Sequence, residues 1–149
     1  MRNLQKLRNL NEYLRDLRFP LMQDTRFSYV TSQADATSRL DKAFGFQILI
    51  ARPDCTIDYR DAAGRQTFDT AIIVLAKDLG NGKTDEEETR QYDRAEAIMD
   101  AILDKILSDL ESDTCSSLSG LSLSSIVISP EVYIFGGWNG YSMELTFEG

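Results

Sequence analysis

Leucines recur at three- and four-residue steps near the start of the chain. They are Leu4, Leu7, Leu10, Leu14 and Leu17. This spacing places them on one face of a helix, and Phe19-Pro20 predicts where that helix has ended. Its opposite face is polar and includes Arg8 and Arg15. The pattern predicts an N-terminal helix that buries its leucine stripe, and such a terminal helix can also dock on a neighbouring protein.

A second helical pattern predicts a long helix from Thr84 to Glu111. Thr84 and Glu87 have the spacing of a capping box, which opens a helix by satisfying its free N–H groups. Its apolar stripe consists of Tyr92, Ala95, Met99, Ile102, Leu103, Ile106 and Leu110. The first turn carries Asp85, Glu86, Glu87 and Glu88. Attraction to the positive end of the helix dipole explains these acids better than a metal site does, because consecutive helical carboxylates diverge.

Strand patterns lie between the two helices. Phe27 to Val30 predicts a short strand, and 32–42 predicts a loop or a short helical turn. From Phe44 to Ile50 apolar residues alternate with a period of two, which is typical of a strand. Thr56 to Arg60 and a run from Gln66 to Ala76 predict two more strands, joined by a hairpin turn at 61–64. We expect these three strands to form an antiparallel meander.

The last third of the chain predicts a surface loop followed by strands. The segment 113–125 is rich in serine, although Leu118, Leu121 and Leu123 could attach it to the core. The apolar segments 126–128, 132–135 and 141–147 predict strands. We place the turn at 136–140, because Asn139-Gly140 readily adopts left-handed conformations. The sequence therefore predicts one α+β domain over 1–149, with a mainly antiparallel or mixed sheet packed by the N-terminal helix and the long central helix.

Charge is distributed unevenly along the chain. The net charge is −8, yet residues 1–26 carry six basic and three acidic side chains, whereas 81–113 carry four basic and eleven acidic ones. After Lys105 there is no basic residue. This distribution disfavours nucleic-acid binding, which needs lysine and arginine along the phosphates. Opposite charges at the two ends suggest self-complementarity, although solubility alone is a simpler explanation of the net charge.

Composition also disfavours most catalytic chemistry. The chain has no histidine, so no Ser–His or Cys–His pair is possible. Cys55 and Cys115 match no metal or disulfide spacing, and we expect free thiols, no metal and no cofactor. An enzyme that uses only carboxylates and lysine is the remaining catalytic alternative. No apolar run is long enough to cross a membrane, so we expect the protein to be cytoplasmic when synthesised, without a membrane partner.

Trp138 is the only tryptophan, and it lies in a glycine-rich segment. Exposed, it would mark a contact with another protein. The alternative is that it folds back over the hairpin and covers the core. The candidate protein-contact residues are Trp138, Asn139, Tyr141, Arg8, Arg15, Glu86 and Glu87.

Two segments carry a resemblance to a known family. They are Tyr92-Asp-Arg-Ala-Glu-Ala-Ile-Met-Asp-Ala-Ile-Leu and Gly137-Trp-Asn-Gly-Tyr-Ser-Met-Glu-Leu-Thr-Phe. With the order of the predicted elements, they resemble the tail-terminator and tail-completion proteins of tailed bacteriophages and prophages, from about Phe44 onward. The resemblance implies a helix packed on a mixed sheet and a non-enzymatic virion protein. It also implies a homo-oligomeric ring, typically hexameric, that meets tail-tube or head-completion proteins at the head–tail junction. The serine-rich loop is longer than this family leads us to expect.

Small acidic secretion chaperones are the second class that the pattern fits. They share the α-βββ-α-ββ order, a low pI and dimerisation through a helix or strand. They normally finish with another helix, and none is predicted after Phe147. A dimeric chaperone or another protein-binding adaptor is therefore the alternative to the ring-forming protein.

Overall fold

A computed structural model describes residues 4–18, 25–41, 43–60, 64–112 and 116–149. Its helices are α1 (Gln5–Asp16), α2 (Gln33–Leu40) and α3 (Asp85–Glu111), with a short 3₁₀ turn at Ser116–Leu118. Its strands are β1 (Arg26–Val30), β2 (Gln47–Ala51), β3 (Asp54–Asp58), β4 (Arg65–Lys77), β5 (Ser122–Ile134) and β6 (Trp138–Glu148). The predicted α+β class is confirmed, as are the N-terminal helix and the long helix.

The six strands form one mixed sheet in the order β1-β2-β4-β6-β5, with β3 also paired to β4. β1 and β2 are parallel, and every other pair is antiparallel. β4 pairs with β6 along its length, from Thr67 opposite Glu148 to Lys77 opposite Trp138. β1 and β5 are therefore the two outer strands of this order.

The predicted three-strand meander needs a correction. β2 and β3 do not pair with each other but lie end to end along the same side of β4, with Ile50 opposite Ile72 and Asp54 opposite Asp69. Pro53 separates them, because proline lacks the N–H that a continuous ladder requires. At this break the Thr70 hydroxyl donates to the Ala51 carbonyl at 2.6 Å. Of the predicted turn at 61–64, residues 61–63 lie outside the described residues.

The main core lies between the sheet and the helices α1 and α3. Alternate β4 side chains point into it, among them Phe68, Ile72 and Val74. The helices contribute the buried side chains Leu10, Leu14, Leu17, Ala95, Ile98, Met99, Ile102 and Ile106. The N-cap half of the predicted capping box is confirmed, since Thr84 Oγ1 accepts a hydrogen bond from the Glu87 N–H at 3.1 Å. The Glu87 carboxylate accepts from the Thr84 hydroxyl at 3.1 Å. None of the helices in the described residues is long and apolar enough to span a membrane.

A smaller core lies on the opposite face of the sheet, beneath α2. The segment predicted as a loop or helical turn forms this two-turn helix, with the Ser32 side chain accepting from the Asp35 N–H at 3.1 Å. Ala36 and Leu40 pack there against Trp138, which is only 2% exposed. The interpretation of Trp138 as a cover for the core is therefore confirmed.

The C-terminal strands are longer than predicted. β5 begins at Ser122, inside the predicted loop, and continues through Pro130, which an outer strand tolerates because one side of its backbone needs no ladder partner. Leu118 and Leu121 are buried and attach the preceding segment to the core, as expected.

The predicted turn at 136–140 is confirmed at Gly136 and Gly137 but is wrong for Asn139-Gly140. The chain reverses at 135–137, and Asn139 and Gly140 both belong to β6. Gly140 is needed for close approach instead, because a Cβ atom there would lie 1.9 Å from the Val74 carbonyl oxygen.

The same valine-to-threonine substitution at two positions tests which side chains of the sheet are buried in the main core. Val74→Thr buries a hydroxyl in the main core and is expected to lower the free energy of unfolding by about 1–3 kcal/mol. Val127→Thr, at a side chain that is 48% exposed, is expected to change it by less than about 0.5 kcal/mol. Urea unfolding followed by circular dichroism measures both, and equal losses would contradict the assigned faces.

Candidate protein-interaction site

β5 presents an apolar outer edge. Ile126, Val127 and Ile128 are 38%, 48% and 47% exposed. Among the described strands β5 pairs only with β6, so its other side has no strand neighbour there. Its sequence contains no lysine or arginine, the residues that most often protect an edge from pairing with other chains. Pro130 and the register shifts at Leu123/Ser125 and Glu131/Ile134 interrupt its pairing. No described strand pairs with the outer side of the segment between these two shifts.

A groove of about 550 Å³ runs between β5 and α3. Ile128 and Tyr141 line its sheet side, and the α3 side consists of Asp93, Glu96, Ala97, Met99, Asp100 and Leu103. Tyr92 contacts the lining residue Tyr141, with the two rings in a T-shaped arrangement at a centroid distance of 6.0 Å. The Tyr92 hydroxyl donates to the Glu131 carbonyl at 3.0 Å, which connects α3 to β5. Burial raises the pKa of Tyr92, with a smaller contribution from the charge of Glu88.

Three carboxylates follow one side of this groove. Asp93, Glu96 and Asp100 are spaced by three and four residues, so they share a face of α3. All three are exposed, and none forms an ion pair within the described part of the chain. The groove therefore combines an apolar floor with an acidic rim, which favours a partner that brings apolar and cationic groups together. We call Ile126, Ile128, Asp93, Glu96 and Asp100 the β5 surface.

The end of the β5–β6 hairpin holds two residues in the left-handed region. Tyr133 has φ of 53° and Phe135 has φ of 50°, a conformation that costs roughly 1–3 kcal/mol for residues other than glycine. The β5–β6 register shifts here, between Glu131 and Ile134. The bulge presents Val132 and Tyr133 to solvent, at 71% and 65% exposure. Backbone strain that displays two apolar side chains is typical of a binding site.

A polar network holds this strained end in place. The Asn139 side chain accepts from the Tyr133 N–H at 2.7 Å and donates to Asp78 Oδ1 at 2.8 Å. Lys83 Nζ lies 2.8 Å from the same oxygen, and the Gly80 N–H donates to Asp78 Oδ2 at 3.1 Å. The hydrogen bond from Lys83, followed by those from Asn139 and Gly80, lowers the pKa of Asp78. The bond to Asp78 in turn raises the pKa of Lys83.

The seven predicted contact residues fall into three groups. Trp138 and Asn139 are buried, so Trp138 packs in the smaller core and Asn139 supports the hairpin end instead of touching a partner. Tyr141 is half-buried and lines the groove. The remaining four, Arg8, Arg15, Glu86 and Glu87, are exposed on α1 and on the first turn of α3. The structure does not bring these four into the groove.

The sequence interpretation missed the exposed apolar residues of β5. Ile126 to Ile128 were predicted as a strand but not as its outer edge, and Val132 and Tyr133 were not singled out. The available signal was three consecutive β-branched residues in a segment without a basic residue.

The described residues show little that could support metal binding or thiol chemistry. Within the described residues, no group of three or more cysteine or carboxylate side chains is placed to hold a metal ion. Cys55 is a free thiol on β3 whose pKa is raised by burial, and Cys115 lies outside the described residues. Neither a protein-family model nor a curated protein matches this chain. Its function is therefore inferred from the geometry of β5, the groove and the hairpin end.

The supporting role of Asn139 is testable by removing its side chain. Asn139→Ala removes the acceptor of the Tyr133 N–H from a part-buried hydrogen bond, and we expect a loss of about 1 kcal/mol in unfolding free energy. Amide hydrogen exchange at Tyr133 should accelerate as well. Asn9→Ala, which removes an exposed partner of Gln5 on α1, serves as the control and should cost less than about 0.5 kcal/mol. Unchanged exchange at Tyr133 would contradict the supporting role.

The lowered pKa of Asp78 predicts a pH dependence of the hairpin end. A folded-state pKa below the unfolded value contributes stability above the unfolded pKa, and that contribution is lost as pH falls through the folded pKa. We therefore expect amide protection at Tyr133 to stay constant from neutral pH down to about 5 and to fall below about 4. Asp78→Asn should abolish this dependence, whereas Asp41→Asn, at an exposed carboxylate after α2, should retain it. NMR-detected exchange, corrected for intrinsic rates, measures the effect.

Proposed function

We propose that this protein is a non-enzymatic structural protein that assembles with copies of itself into a ring. The role that fits best is that of a tail-terminator or tail-completion protein at the head–tail junction of a phage or prophage virion. The observation that carries the proposal is the open apolar edge of β5 beside the acidic groove. In this role the ring, built from chains made in the cytoplasm, contacts tail-tube or head-completion proteins.

The exposed side chains and backbone of β5 favour self-assembly over a monomeric state. An exposed strand edge offers a row of N–H and C=O groups, and chains that remain monomeric usually protect such an edge with charge, bulges or a covering element. Here the exposed residues are Ile126, Val127 and Ile128, and they lie between the register shifts at Leu123/Ser125 and Glu131/Ile134. Pairing with another copy gives these backbone groups hydrogen-bond partners, and at the same time it removes the apolar side chains from water.

The packing of α3 argues against the chaperone alternative in its helix-paired form. The apolar stripe of α3, including Ala95, Met99 and Ile102, is already buried in its own subunit. The outward face of the helix is largely charged, so it offers little apolar area for a dimer through α3. A protein-binding adaptor remains the second candidate, because the groove lined by Leu103 and Tyr141 is suited to an apolar segment of another protein.

Self-assembly through β5 is tested with one added charge. Ile128→Lys places an ammonium group on the open edge, where lysine opposes strand pairing. Sedimentation velocity of the wild-type chain should show a concentration-dependent oligomer, and electron microscopy should show closed rings. We expect Ile128→Lys to shift the population to monomer. Ser38→Lys, which adds the same charge on the exposed side of α2, is the matched control and should assemble like the wild type.

The outcomes separate the two candidates. A wild-type chain that stays monomeric at every concentration contradicts the ring. A discrete dimer that survives Ile128→Lys favours the adaptor.

A further inference from the structure

The sheet edge opposite β5 carries aromatic rings covered by arginines. The guanidinium carbon of Arg18 lies 5.0 Å from the centroid of the Phe27 ring. Those of Arg15 and Arg52 lie 5.9 and 5.2 Å from the centroid of Tyr29. These are cation–π distances, so the arginines are held over the rings with their charge still available. We call these five residues the β1 surface.

The charges of the β1 surface are not neutralised within the described chain. None of its three arginines forms an ion pair with a carboxylate there. The three carboxylates of the β5 surface are likewise without an ion pair among the described residues. Beside the two outer strands of one sheet, the described residues thus place opposite charges that form no ion pair with each other or with their neighbours there.

The apolar side chains of both surfaces lie on the same face of the sheet. Phe27 and Tyr29 pack against the main core, the one covered by α1 and α3. Ile126 and Ile128 are opposite the main-core residues Leu145 and Met143 on β6. Since directly opposed residues share a face, the isoleucines also point to the α1 and α3 side.

We propose that the β1 surface of one copy docks on the β5 surface of the next copy. This inference rests on the self-assembly proposed above and names the two surfaces that meet. Three guanidinium groups face three carboxylates, and two aromatic rings face two isoleucines across the new strand pair. Aromatic and β-branched side chains are favourable cross-strand partners, while the charges select the register and the partner.

Strand direction is compatible with this contact. β1 and β2 run parallel, and the successive antiparallel pairs β2–β4, β4–β6 and β6–β5 reverse the direction three times. β1 and β5 therefore run in opposite directions. When the next copy continues the sheet with its helices on the same side, its β1 lies antiparallel to β5, and the two strands can form a regular antiparallel ladder.

The contact is heterologous, because each copy uses two different surfaces. Such a contact leaves one free surface at each end of a growing assembly, and it closes only as a ring. A pairing of β5 with β5, in contrast, uses one surface twice and stops at a dimer. Exposed ion pairs are screened by salt, so association should weaken as ionic strength rises.

Two charge-reversed variants of the full chain test the pairing. The first carries Glu96→Lys and Asp100→Lys on the β5 surface, and the second carries Arg15→Glu and Arg52→Glu on the β1 surface. Each variant alone places like charges across the contact, and we expect its association to weaken by about tenfold or more. An equal mixture restores opposite charge at every contact and should assemble again. The control variant carries Arg39→Glu and Arg60→Glu, which change the net charge by the same amount at positions outside the β1 surface. It should assemble like the wild type.

Sedimentation velocity gives the size of each assembly and native mass spectrometry gives its composition, with circular dichroism confirming the fold. A mixed oligomer of wild-type size that contains equal amounts of both variants supports the pairing. If the Arg15→Glu, Arg52→Glu variant assembles by itself like the wild type, the β1 surface is not used, and the pairing is overturned while self-assembly stands. A mixture that stays dissociated also overturns it. If the wild-type chain itself never associates, the assembly role and the pairing are both overturned.

Discussion

The packing of β4 on both of its faces organises the whole protein. Its side chains alternate between the main core under α1 and α3, reached by Phe68, Ile72 and Val74, and the smaller core under α2, reached by Ile73 and Leu75. It also has strand neighbours on both sides. A strand in this position must be apolar in both directions, and a shift of one residue would exchange the two cores. The positions of α3, β6 and the outer strands all follow from this one strand.

The long β4–β6 ladder has an energetic cost at its end, where the chain reverses from β5 into β6. Tyr133 and Phe135 accept unfavourable backbone conformations there, and the network of Asn139, Asp78 and Lys83 offsets that strain. The network joins the loop before α3 to the hairpin end. As a result Val132 and Tyr133 are displayed on a supported backbone, and a preorganised backbone lowers the entropy that binding costs.

The two outer strands differ in a way that bears on assembly. The apolar side chains of β5 lie near carboxylates of α3, whereas the aromatic rings of β1 are covered by arginines from α1 and from the segments after α1 and β2. Exposed ion pairs contribute little affinity individually. In the proposed contact the apolar pairs and the backbone ladder therefore supply most of the affinity. The charges decide which edge meets which, and they disfavour β5 with β5 and β1 with β1.

The sequence by itself determined the elements whose signals are local. The leucine spacing of α1, the Thr84–Glu87 cap of α3 and the apolar run of β4 each specify a structure through contacts between near neighbours in the chain. The α+β class and the two long helices could be predicted for that reason. The charge asymmetry between the two ends of the chain also follows directly from the sequence.

Only the tertiary structure decided which strand became an edge and which polar residue became a support. Asn139-Gly140 has the composition of a turn, yet the approach of Gly140 to the Val74 backbone places it inside β6. Pro53 divides one long strand into β2 and β3 instead of starting a new neighbour in a meander. The sequence of Ile126 to Ile128 predicts a strand but not its place in the sheet. The order β1-β2-β4-β6-β5 makes it an outer strand. These outcomes depend on contacts between residues far apart in sequence, which no local pattern records.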